Sequence, residues 1–163
     1  MVSLAIVDDA THAPLPHRAA GVTRVVALAP FSEDHERELG HARRLLSAAD
    51  DGPEERLAAA RAYVAAFFGE TVEHFRREEE ELFPLYARHG GRRELVERIL
   101  EEHMQLQGLV RALRTHVVAG DVAAEELRTL GSLLLDHVRM EERELFEHIQ
   151  QVVPEAELAE LLR

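Results

Sequence analysis

His74-Phe75-Arg76-Arg77-Glu78-Glu79-Glu80-Glu81-Leu82-Phe83-Pro84 recurs, with changes, as His137-Val138-Arg139-Met140-Glu141-Glu142-Arg143-Glu144-Leu145-Phe146. In both copies a Glu follows the His by four residues, and a further Glu, a Leu and a Phe follow at matching offsets. Positions i and i+4 of a helix lie on one face, one turn apart. Each copy therefore presents an imidazole beside a carboxylate. Two such helices facing one another would gather these groups into a metal site.

The surrounding chain favours helices. Its 163 residues suit one domain with a proper core. It is rich in Ala, Leu, Glu and Arg, which are good helix formers, and has no Trp. Its six prolines and nine glycines fall mostly between periodic segments. The absence of cysteine excludes a disulfide scaffold, an iron–sulfur cluster and thiol catalysis. A formal charge of −12 argues against a nucleic-acid partner, because phosphate binding needs clustered Lys and Arg. The short apolar run after Met1 has no basic residues before it and does not read as a signal peptide. No segment is long and apolar enough to span a membrane, so a cytoplasmic location is the default expectation.

The expected fold is all-α: an antiparallel, up-down-up-down four-helix bundle over residues 31–163, with an irregular N-terminal arm over 1–30 and a short C-terminal helix. Pro14, Pro16, Gly21 and Pro30 break up the arm. Its apolar stretch, Val22 to Leu28, suits an extended segment laid on the bundle, and His12 and His17 read as solvated. The first helix is expected from Ser32, as N-cap, to about Ala49. The second runs from Pro53 to about His89, with Pro84 as a possible kink. The third spans about Arg92 to Val118. The fourth follows Asp121 as N-cap and runs to about Gln151. Apolar stripes at helical spacing mark two interior faces: Leu95, Ile99, Leu106, Leu109, Val110 and Leu113 on the third helix, and Leu127, Leu130, Leu134, Val138, Leu145 and Ile149 on the fourth.

A second echo pairs the remaining helices. Asp34-His35-Glu36-Arg37-Glu38-Leu39-Gly40 resembles Glu102-His103-Met104-Gln105-Leu106-Gln107-Gly108. The offset is 68 positions from His35 to His103 and 63 from His74 to His137. The chain thus reads as two weakly similar hairpins related by an approximate two-fold axis. Counted from the turns, Glu78, His103 and His137 lie at one level. His35 fits less well against His74, with a mismatch of roughly 10 Å at the helical rise.

Taken singly, each of these residues is an ordinary histidine or a solvated carboxylate. Together, His35, His74, Glu78, His103, His137 and Glu141 place one His on each of four helices and two His-x-x-x-Glu pairs in register. Burying them unpaired would be costly, and a cation gives them a reason to be inside. Imidazole and carboxylate suit iron, manganese or zinc. Six ligands exceed one tetrahedral zinc. They suit two octahedral ions, two His on each, bridged by the two Glu and an oxo, hydroxo or water, with a position left for an exogenous ligand. The chain lacks the pair of Glu-x-x-His motifs of ferritin-like di-iron bundles.

Over about residues 31–150 the sequence resembles the hemerythrin-like, or HHE cation-binding, family. The resemblance rests on Asp34-His35, on His74-Phe75-x-x-Glu78-Glu79-x-x-Leu82-Phe83-Pro84, on Glu102-His103 and on His137-x-x-x-Glu141-Glu142. It implies an antiparallel four-helix bundle around a non-haem di-iron centre, with the six residues as ligands and Glu78 and Glu141 bridging. Oxygen-carrying hemerythrins have a further His one turn after the third-helix ligand, where this chain has Gln107. They also place an Asp five residues after the fourth-helix His; here Glu141 comes at four and Glu142 at five. The pattern is closer to relatives linked to iron–sulfur repair, nitric-oxide stress and iron sensing, although the repair proteins carry a Cys-containing N-terminal segment.

The expected function is therefore a di-iron protein that binds or reacts with O2, NO or peroxide in redox or nitrosative stress response or sensing. The alternative is an iron-dependent regulatory module without turnover, and a metal-free helical bundle is the plainest reading. Glu81 and Glu144, seven residues after each His, are candidates to orient imidazole N–H groups or to act as alternative ligands, and equally to be rim carboxylates at the bundle edge. Tyr63 is expected in the core, His148 too far away to be a ligand, and His41 structural or exposed. His89 and His116 lie at helix C-termini, where a cation is favoured.

Overall fold

The computed structural model describes residues 24–162, and every regular element among them is helical. A short 3₁₀ turn, Val26–Leu28, leads into α1, Ala29–Ala48. Helix α2 spans residues 53–88 and contains two wide π turns, Phe67–Thr71 and Glu78–Leu82. Helix α3 is Arg93–Ala119. Helix α4 spans residues 124–152, with a third π turn at Glu141–Leu145. The short α5, Glu155–Leu158, ends in a 3₁₀ turn. No helix among the described residues is long and apolar enough to cross a membrane. His12 and His17 lie outside the described residues.

Contacts between helices fix their directions. Helices α1 and α2 meet at Asp34–His74, Glu38–Thr71 and His41–Tyr63, so numbers rise on one as they fall on the other. The same reversal holds for α2 and α3 at Glu79–His103 and Phe68–Arg114. It holds for α3 and α4 at Glu102–His137 and His116–Glu126, and for α1 and α4 at Ser32–Glu142 and Asp50–Arg128. Neighbouring helices of the bundle thus run antiparallel at these contacts.

Two expected boundaries differ. Helix α1 begins at Ala29, before Ser32, because Leu28 and Phe31 are buried anchors and Pro30 is well placed in a first turn. Ser32 then lies inside the helix and donates its hydroxyl to Glu142. Asp121 does not cap α4. Its N–H closes the end of α3 on the His116 carbonyl around Gly120, at φ 75°. Helix α4 starts later, where the Glu126 carboxylate accepts the Ala123 N–H.

Apolar side chains form two clusters. One gathers Leu45, Leu106, Val110, Leu113, Leu127, Leu130 and Leu134. The other gathers Leu28, Phe31, Leu82, Phe83, Ile99, Leu145, Phe146 and Ile149. Both predicted stripes are buried except Leu109, which is partly exposed. Along the helices, the residues between these clusters are the histidines and glutamates singled out above.

Candidate metal centre

His35, His74, Glu78, His103, His137 and Glu141 are each at most 3% exposed, and the bundle brings all six together. On one side Nε2 of His35 and Nε2 of His74 are 3.1 Å apart. On the other, the rings of His103 and His137 stand edge to face at 5.0 Å, as those of His35 and His74 do at 4.8 Å. The two carboxylates span both pairs. Glu78 Oε1 is 3.4 Å from His74 Nε2, and its Oε2 is 3.4 Å from His103 Nε2. Glu141 Oε2 lies 3.1 Å from His35 Nε2 and 3.3 Å from His137 Nε2. The expected mismatch between His35 and His74 does not separate them. One residue of it is taken up by the wide turn Phe67–Thr71 in α2.

Each imidazole turns Nε2 inward because a carboxylate engages its Nδ1. Glu142 Oε1 lies 2.7 Å from His35, Asp34 Oδ2 3.2 Å from His74, Glu79 Oε1 2.7 Å from His103 and Glu102 Oε2 3.0 Å from His137. A carboxylate at Nδ1 fixes the tautomer and makes Nε2 a better electron-pair donor. The arrangement repeats the internal symmetry. The acid before the His on α1 or α3 serves the His of the following helix. The second Glu on α2 or α4 serves the His of α3 or α1. Aromatic rings complete the walls: Phe146 stacks on His35 and Phe83 on His103, with Phe75 closer still to His103 at 3.7 Å.

Glu81 and Glu144 do not take the orienting role; they are rim carboxylates, the other reading the sequence allowed. Glu144 is exposed, and Glu81 lies 3.8 Å from Arg76 near the surface. A regular helix would keep a residue seven positions on near the same face. The π turns that begin at Glu78 and Glu141 rotate the following residues away. The same wide turns let two consecutive glutamates face inward, the first to the cluster and the second to a neighbouring His. Pro84 follows one of these turns and lacks an N–H, yet the matching turn in α4 has no proline, so proline is not their cause. The adjacency of an acid to each helix-1 and helix-3 His was the visible signal for Asp34 and Glu102.

Titration follows from this crowding. Burial disfavours charge on His35, but the neighbouring Glu141 and Glu142 carboxylates outweigh it and raise its pKa to about 10. Burial and then repulsion from Glu141 raise Glu78, whereas for Glu141 the attraction of His137 and His35 overcomes burial and lowers it. For Glu142, burial is outweighed by His35, Arg24 and Ser32, which bring it down to about 2. Asp34 and Glu102 are lowered despite burial, by His74 and by His137 with Arg98.

Both oxygens of Glu78, both of Glu141, and Nε2 of His103 and of His137 are buried without a hydrogen-bond partner. Such orphaned groups are expensive. All are lone-pair donors aimed at one small region, and His35, His74, Glu78 and Glu141 present one ligand atom each within 4.8 Å of one another, as do His103, His137 and Glu141. The donor set fits cations. The remaining histidines among the described residues have other partners: His148 meets the Tyr86 hydroxyl at 2.5 Å, His89 meets Glu157 at 2.9 Å, His116 meets Glu126, and His41 packs beside Tyr63.

The family model of the hemerythrin HHE cation-binding domain matches residues 26–149, and the chain belongs to that family. No curated protein and no solved structure is found to match it.

Proposed function

We propose that this hemerythrin-family domain holds two non-haem irons sharing an oxo or hydroxo group, and that it binds or reacts with O2, NO or peroxide in redox or nitrosative stress response or sensing. His35 and His74 would hold one ion and His103 and His137 the other, with Glu78 and Glu141 shared. The observation that carries this reading is the pair of buried carboxylates, each spanning both histidine pairs with its oxygens otherwise unpartnered. Manganese or zinc would suit the same donors. Bound iron would supply a redox couple and a coordination position for a small ligand.

The chain's own residues do the rest. Asp34, Glu79, Glu102 and Glu142 hold the four imidazoles in one tautomer and orientation. Leu82, Phe83, Leu145 and Phe146 are at most 4% exposed and keep bulk water from the cluster. A dry wall of this kind strengthens every charge interaction inside it.

Anaerobic loading of the chelator-stripped protein with Fe(II) tests the reading. About two irons per chain are expected, with a near-UV charge-transfer band after air or NO. Replacing both Glu78 and Glu141 by Gln should abolish uptake. Stoichiometry near zero in the unaltered protein would sink the proposal. Turnover of added peroxide separates an enzyme from a module that only binds.

A further inference from the structure

Glu38 is a buried carboxyl that the six-residue cluster does not use. It lies on α1 one turn past His35 and is 6% exposed. Thr71, one turn before His74 on α2, donates its hydroxyl to Glu38 Oε1. This pair therefore bridges α1 and α2 in the layer next to the His35–His74 contact. The other oxygen, Oε2, has no partner, nor does the hydroxyl of Tyr63, which is 1% exposed.

The internal repeat shows what this layer needs for packing alone. Moving from Glu38 and Thr71 by the offsets that relate the two hairpins leads to Leu106 and Leu134. Both leucines are completely buried. One half of the bundle thus fills the layer with two leucines, while the other buries an acid and a hydroxyl in the same places. Burying an oxygen without a partner costs stability, and nothing in the fold requires it here.

Burial raises the Glu38 carboxyl above its ordinary range, against the pull of Thr71, His35 and His137. It also raises the Tyr63 hydroxyl, with the Glu38 charge adding to it. With Thr71 donating to Oε1, Oε2 of Glu38 is the atom left free, and a proton held there would be a free donor. The Tyr63 hydroxyl is another.

We propose that Glu38 is a positioning residue for the exogenous ligand: held by Thr71 and backed by Tyr63, it donates a hydrogen bond to the outer atom of a small acceptor ligand, such as azide or peroxide, bound at the His/Glu cluster. This rests on the metal reading above. Glu38 is not a ligand of the ions, and no bond to the exogenous ligand is made or broken by it.

The test compares Glu38→Leu, which installs the residue found in the other half, with Glu38→Gln, whose amide keeps an acceptor for Thr71 and a free N–H donor. Each is stripped, its melting temperature read, loaded with Fe(II), assayed for metal, exposed to air and titrated with azide. Glu38→Leu should take up the same two metals and melt no lower without metal, yet bind azide about tenfold more weakly. Glu38→Gln should bind azide within about threefold of the unaltered protein. Unchanged azide affinity in a fully loaded Glu38→Leu would reduce Glu38 to packing and overturn the proposal. Lost metal in both variants would make Glu38 a ligand and overturn it equally. Failure of the unaltered protein to take up metal is read before azide is added, and it would fell the metal reading itself.

Discussion

Oε1 of Glu142 lies 2.7 Å from Nδ1 of His35, although 107 residues separate them. The contact is clamped. Ser32 donates to the same oxygen at 2.8 Å, and Arg24 reaches the other at 2.5 Å while lying over the Phe146 ring that stacks on His35. Glu79 makes the matching contact to His103, also at 2.7 Å, but is 38% exposed and has no such clamp among the described residues. The two halves of the site share a pattern and differ in how firmly it is held.

That difference predicts unequal effects on metal affinity. Glu142→Gln should weaken binding by roughly 10–100-fold, the usual loss when a carboxylate behind a ligating His is removed. Glu79→Gln should fall at or below the lower end, since water can replace an exposed partner. Arg24→Ala should reproduce part of the Glu142 effect. Chelator competition measures all three, and a larger loss for Glu79→Gln would show that the clamp does not matter.

Metal uptake should release protons. In the stripped protein at neutral pH, His35, with its pKa raised to about 10, carries a proton between Glu141 and Glu142. Its Nε2 must give that proton up to hold an ion. Calorimetric titration in two buffers of different ionisation heat should show at least one proton released per chain at about pH 7. Equal heats in the two buffers would contradict this.

The juxtaposition of the six cluster residues was legible in the sequence because two helical His-x-x-x-Glu copies and two acid–His pairs repeat, with Glu78, His103 and His137 at matched depth and only His35 out of step. Fold class was legible for the same reason: breakers fall between long periodic segments. The supporting carboxylates were not. Asp34 and Glu102 stand out only as an echo, and their role depends on which helix crosses beside them. A regular helical period points to Glu81 and Glu144 as orienting or rim carboxylates, and the wide turns at Glu78–Leu82 and Glu141–Leu145 break that period and bring Glu79 and Glu142 inward instead. The polar pair Glu38–Thr71 hides in the same way, since nothing in its local sequence sets it apart from a surface acid and a surface hydroxyl.

The metal-free protein should be most stable in mild acid. His35 and Glu78 have raised pKa values, so their contributions are present below the unfolded values and are lost as pH rises through the folded ones. For His35 that decline runs from about 6.5 to about 10, and for Glu78 it begins above 4.5. Glu142 has the opposite sign. Its contribution is present above 4.5 and lost as pH falls toward about 2. Melting temperatures of the stripped protein should therefore peak near pH 4.5 and fall toward pH 10, and metal loading should flatten the alkaline side. A stripped protein most stable at pH 9 would contradict these shifts.

Gly131 sets the distance between α1 and α4 and so the distance across the site. A Cβ there would come within 2.9 Å of Leu46 Cγ and 3.1 Å of the Ala42 carbonyl oxygen. The leucine tip has some freedom, but the carbonyl belongs to the helix backbone and does not. Gly131→Ala should then push the helices apart, at a cost of about 1–3 kcal/mol from overpacking, only partly offset by the roughly 1 kcal/mol that a helical Gly-to-Ala change otherwise gains. The contacts most exposed to this are Ser32–Glu142 and His35–Glu141, both between α1 and α4, whereas Glu79–His103 and Glu102–His137 lie elsewhere. Thermal melts of stripped and loaded protein should show the loss in both. Chelator competition should show weaker binding of one of the two ions, with the other held as before. Uniform weakening of both ions would mean that the bundle deforms as a whole and not at the α1–α4 seam.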